Sequence, residues 1–234
     1  MRETLEKIDK DELVEIARQL ERKSEVFQRH LNSESIVSLK EESMNELLKM
    51  VFPVRRKTGH FLEKYGFEEY KTGIAELLYG ELSLEKRFQK FTEDFQKIDS
   101  HVICELGGEI LHYNDPDRYW LWSRWLWDHE NNTGALPLVT NEEFGLGGKN
   151  FGEMYMNVGK AIAFVHSMAE SAEFQFINRS LFGTDVYLSC VYVIYAYTVL
   201  KIKMTDEFNK VMPGLSEFSR RILGIYNSKE MTVV

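Results

Sequence analysis

LEKRFQKFTEDFQKI, residues 84–98, places Leu84, Phe88, Phe91, Phe95 and Ile98 at intervals of four, three, four and three, behind Ser83, a good helix N-cap. At 3.6 residues per turn those five side chains form one stripe, whereas a strand would scatter them over both faces. The stripe runs for about two heptads, short of the three or four of a coiled coil. It predicts a core helix with an aromatic face rather than an intermolecular seam.

The same period continues on both sides. Leu13, Ile16, Ala17, Leu20 and Phe27 share a face opposite Glu12, Glu15, Arg18 and Arg22. A turn at Asn32-Ser33 precedes a second stripe through Ile36, Met44, Leu47, Leu48 and Val51, which Pro53 ends, so an antiparallel pair is expected. After the basic triplet Arg55-Arg56-Lys57 come two shorter helices broken at Gly66, with Phe61, Leu62, Tyr65, Ile74, Leu77 and Leu78 facing inward and Gly80 as C-cap.

Downstream, a helix from His101 to His112 contains Gly107-Gly108, a mark of close packing. Asp115 and Pro116 suit the cap and first turn of another helix that would carry the tryptophans. Residues 131–150 are rich in glycine and read as a long loop or a hinge between subdomains. Beyond them, Met154, Tyr155, Val158, Ile162, Val165 and Met168 form a stripe, Val186 to Leu200 a tyrosine-rich buried helix too short to span a membrane, and Leu215, Phe218, Ile222 and Leu223 a last one. With no repeat and no strand alternation, the expected fold is all-α, a compact bundle of about eight to ten helices in a single domain 1–234, with 131–150 as the place for a subdomain split.

Net charge −8, from 29 basic and 37 acidic residues, disfavours general affinity for a phosphate backbone. Cys104 and Cys190 are the only cysteines and lack CxxC spacing, and the first residues lack an apolar signal core, which together predict a cytoplasmic protein.

Three constellations carry chemistry. All four tryptophans fall within residues 120–127, and on a helix Arg118, Trp122 and Trp125 would share one side and Leu121, Arg124 and Asp128 another. Arg118, Trp120, Trp122, Arg124 and Trp125 read as a contact surface for another protein or for self-association, because Trp and Arg dominate interface hot spots. An aromatic element wedged in the core, its arginines paired to acids, reads equally well.

Glu105, Glu109 and His112, in CELGGEILHYNDPD (residues 104–117), are spaced four and three apart on one helical face. Glu109 and His112 form the ExxH element of di-metal carboxylate bundles, which would hold a divalent metal or iron. A second ExxH is missing, so a salt-bridged or solvated face is the weightier reading and no cofactor is expected. His166, Glu170 and Glu173 are the one candidate for a second ligand helix.

Gly145, Gly147, Gly148, Lys149 and Asn150 resemble a phosphate loop, but Glu143 stands at the first Walker glycine and Asn150 at the Ser/Thr position, so a turn is the better reading. No GxSxG occurs, and Cys104, three residues after His101 with apolar flanks, reads as an inert thiol.

The run LGGEILHYNDPDRYWLWSRW, residues 106–125, is similar to the helix, proline turn and helix that follow the hairpin in helix-hairpin-helix DNA glycosylases. The resemblance implies packing positions for Leu111, Pro116 and Tyr119. Trp122 or Ser123 stands where that family carries its catalytic aspartate, and Asp99-Ser100-His101 replaces the hairpin glycines. What the resemblance implies is thus a helical nucleic-acid-binding scaffold without the catalytic residue. The leading expectation is a non-catalytic partner-binding or accessory protein, with a metal-dependent enzyme and a nucleic-acid-binding protein as alternatives.

Overall fold

The computed structural model describes residues 9–55, 58–141, 144–171, 180–203 and 213–225. Among them are ten α-helices: α1 Lys10–Leu31, α2 Glu41–Met50, α3 Thr58–Tyr65, α4 Phe67–Tyr79, α5 Leu84–Asp94, α6 Ser100–Asn114, α7 Leu136–Val139, α8 Phe151–Ser171, α9 Gly183–Lys203 and α10 Leu215–Ile222. A 3-10 turn, Ser35–Ser38, takes Ile36 out of the second helix, and an isolated bridge between Asp128 and Thr133 is the only extended pairing among the described residues. The protein is all-α. No helix of the described residues is long and apolar enough to cross a membrane.

Local chemistry sets the boundaries. Asp9 accepts the Asp11 N–H at the start of α1, and Asp99 accepts those of His101 and Val102 at the start of α6. Gly66, at φ 81°, separates α3 from α4. The side chains of Arg56, Lys57, Phe61 and Leu200 lie outside the described residues.

Helix α5 stops at Asp94, one turn short of the quoted stripe. Phe95 and Ile98 remain buried in the following turns, where Phe95 stacks on Tyr70 with ring centroids 4.5 Å apart. Phe88 stacks on Tyr155 of α8 at 4.3 Å. Met168 departs from its expected place: it is half exposed on α8.

At the centre lies α6, buried without interruption from Ile103 to Tyr113, with α1, α4 and α5 packed against it. Buried side chains from Leu13 to Ile225, on both sides of residues 131–150, belong to one core cluster.

Residues 115–135 are not helical, contrary to the expected tryptophan helix. Short turns satisfy part of the backbone there, and side chains satisfy some of the rest: His112 Nδ1 donates to the Tyr119 carbonyl at 2.7 Å and the Tyr155 hydroxyl to that of Trp120 at 2.9 Å. The chain lies so close to α6 that a Cβ on Gly108 would meet the Trp122 carbonyl oxygen at 2.6 Å. The second helix of the glycosylase-like arrangement therefore does not form, although Leu111 and Tyr119 are buried and Pro116 is half-buried.

Candidate functional site

The inward face of α6 holds a chain of alternating charges. Lys23, on the apolar stripe of α1 and fully buried, donates to Glu109 at 2.5 Å and to the Leu223 carbonyl at 3.0 Å, and its ammonium sits 4.1 Å from the Tyr113 ring centre. The backbone at Phe52 also favours the Glu109 carboxylate. Burial draws both groups of this pair toward neutrality, lowering Lys23 and raising Glu109, while their mutual attraction opposes the drift.

His112 continues the chain. Its Nδ1 faces a carbonyl, and its Nε2 lies 3.2 Å from the Asp185 carboxylate at the start of α9. Burial disfavours the imidazolium, but Asp185 and the Tyr119 carbonyl outweigh it and raise the pKa, since two acceptors together suit a doubly protonated ring. Glu105, one turn before Glu109, accepts from Ser123 at 2.8 Å, and burial pushes its carboxyl up to about 7 despite that bond.

Glu105, Glu109 and His112 thus lie inside the core, each engaged with a different partner, and they form no metal-ligand cluster. The face is salt-bridged, not solvated. His166 bonds the Thr184 hydroxyl at 2.8 Å, whereas the Glu170 side chain and Glu173 lie outside the described residues. Cys104 is buried, and burial raises its thiol well above the ordinary range.

The tryptophans divide. Trp122, Trp125 and Trp127 are buried, and Trp120 is half-buried against His166, so Trp122 and Trp125 have no face to offer a partner or a base. Arg118 and Arg124 are exposed, but Arg118 reaches Asp115 at 3.7 Å and Arg124 bonds Asp128 at 2.9 Å. At the glycine loop, Asn150 caps the Glu153 N–H at 2.8 Å and the Glu153 carboxylate accepts the Lys149 N–H at 2.7 Å. An acid thus occupies the helix start where a phosphate would sit; Glu143 lies outside the described residues.

A second cluster stands at the surface. His101, in the first turn of α6, faces His129 and Glu130 from the loop after the tryptophans, and one ligand atom from each lies within 4.8 Å of the others. The imidazoles stack at 4.6 Å. Glu130 Oε1 is 2.9 Å from His101 Nε2, while the buried His129 Nδ1 has no hydrogen-bond partner. Burial lowers the His129 pKa, with His101 adding to the effect, and the contact with His101 lowers that of Glu130.

Asp128 shapes this loop. Its Oδ1 accepts the N–H groups of Glu130 and Asn131 at 3.1 and 3.3 Å, and its Oδ2 accepts from Arg124 and the Asn131 side chain, both at 2.9 Å. Burial works against the Asp128 charge, yet these donors hold its pKa at about 2. Asp128 and Thr133 exchange backbone bonds across the loop, and Gly134, at φ 133°, lies where a Cβ would meet the Leu126 carbonyl oxygen at 2.4 Å.

No family model, curated protein or solved structure matches the chain. Its chemistry has to be read from its own geometry. Sequence reading missed Lys23, Asp185, His129 and Glu130. Lys23 left a signal, a charge on the apolar stripe between Leu20 and Phe27; His129 and Glu130 left none, because only the folded chain brings them to His101.

Proposed function

We propose that the protein is a helical partner-binding protein whose contact surface is the outer face of α8 with the loop before it. The observation that carries this reading is the aromatic pair Phe144 and Phe164, ring centroids 4.8 Å apart, on a groove lined also by Asn141, Gly145, Asn157 and Lys160. Phe164 is 40% exposed and Met168, one turn on, 50%, while Leu138 is 48% exposed on α7, which packs against α8. Scattered apolar side chains are ordinary on a surface, but an aromatic pair in contact on a groove, with an exposed methionine one turn on, supports a contact site.

This surface replaces the Trp/Arg segment as the interface, since Trp122 and Trp125 serve the core. The partner is a protein that packs an apolar side chain against Phe144 and Phe164 and presents a carboxylate to the exposed Lys160. Native mass spectrometry of the protein from its own source, beside a Phe164→Glu/Met168→Glu variant, tests it. A heteromeric mass for the wild type and a monomer for the equally stable variant is expected. A homodimer, or the same mass for both, overturns the reading.

A further inference from the structure

We infer that His101, His129 and Glu130 form a binding site for a divalent transition-metal ion, with zinc the ion their donor set suits best. The inference is independent of the partner surface. Two imidazole nitrogens and one carboxylate oxygen are the donors of many three-ligand zinc sites, in which a water or another molecule completes the tetrahedron. Two ligands of one tetrahedral ion stand about 3.3 Å apart. The present separations, all within 4.8 Å, therefore need only small side-chain rotations, and Glu130, 59% exposed at its side chain, is free to make the largest.

Three features favour a ligand here over a chance meeting of surface groups. His129 Nδ1 is a buried atom without a hydrogen-bond partner, and the buried His101 Nε2 beside it meets the Glu130 carboxylate at 2.9 Å. The backbone carrying His129 and Glu130 is held in one shape by the four bonds to Asp128 and by the Asp128–Thr133 pairing. Such outer support is what orients metal ligands before the ion arrives.

The charge balance also suits a cation. Arg124 is the nearby cation, and its Nε is matched by Asp128, while its Nη2 stands 3.9 Å from Oε2 of Glu130, the oxygen turned away from His101. The two imidazoles and the Glu130 carboxylate then face the ion. The edge of His129 packs on Phe151 with centroids 5.8 Å apart, and Phe151 with Asp99 and Ser100 lines a surface cleft. An ion held by these residues lies near that cleft.

The test uses the full chain freed of metal with a chelator, titrated with zinc by calorimetry and with cobalt(II) by visible absorption. One zinc per chain, a tetrahedral cobalt spectrum and a melting temperature raised by zinc are expected. His129→Ala and Glu130→Gln should each weaken zinc binding roughly a hundredfold, the upper end of the effect of outer-sphere partners, and leave the melting temperature in chelator unchanged. Absence of stoichiometric zinc binding to the wild type, or equal binding by wild type and both variants, overturns the site.

Discussion

A charge on the apolar stripe of a helix is costly unless the fold supplies its counter-charge, and Lys23 receives one from Glu109 with a carbonyl and an aromatic face around it. The two residues are 86 positions apart, and the Leu223 carbonyl adds a contact 200 positions away, so the ammonium ties α1 to the central helix and to the turn after α10. Glu109→Gln leaves Lys23 buried and uncompensated, for which about 3–5 kcal/mol of destabilisation is expected. Replacing both, Lys23→Met with Glu109→Leu, removes the desolvation of two ions and should restore most of that loss. Urea midpoints of the wild type, the single variant and the double variant check the pair. Equal loss in the single and double variants would show that the two residues act by packing alone.

At the scale of elements, α6 is covered by aromatic rings on one side and by the non-helical tryptophan segment on another, and two adjacent glycines admit both. A Cβ on Gly107 would stand 3.2 Å from ring atoms of Phe88 and Phe91, which can turn. On Gly108 it would meet backbone, the Trp122 carbonyl oxygen at 2.6 Å and nitrogen at 3.0 Å. Gly108→Ala should therefore cost about 1–3 kcal/mol through overpacking, while in Gly107→Ala a helix-propensity gain of about 1 kcal/mol offsets part of the crowding. Thermal melts of the two variants should rank them in that order. The glycine pair shows what was legible in the sequence: close packing of α6 could be read, but not what packs there. Helices with a continuous apolar period, such as α1 and α8, could be read directly. The tryptophan segment could not, because Asp115 and Pro116 form a sound helix start locally, while the bonds that hold it out of a helix come from His112 on the preceding helix and from Tyr155, 35 residues from Trp120. The candidate site follows the same division. Glu105, Glu109 and His112 stood out by spacing, but Lys23, Ser123 and Asp185 decide their role, and the loop bearing His129 and Glu130 meets His101 only across the fold.

For the whole molecule, the burial of α6 within one core makes each proton bound along it a term in global stability. Glu105 has its folded pKa raised to about 7 from 4.5. A carboxyl raised in this sense binds its proton more tightly in the folded state. Its contribution is complete below the unfolded value and is lost as pH rises through about 7, a change of about 3 kcal/mol. His112, also raised, acts with the same sign, losing its contribution as pH climbs through its folded value above 6.5. Lys23, lowered, has the opposite sign, but its gain comes only as the ammonium itself deprotonates. At the acid end Glu12, held low by Ser216 and Arg220, loses its contribution as pH falls through its folded pKa. Stability should therefore peak on the acid side of neutrality. The urea midpoint should be higher at about pH 5 than at about pH 8. Glu105→Gln, which keeps the neutral shape and the Ser123 contact at every pH, should shrink the difference between the two conditions. A variant whose midpoint still falls as steeply as that of the wild type would assign the pH dependence to His112 and the Lys23–Glu109 pair instead.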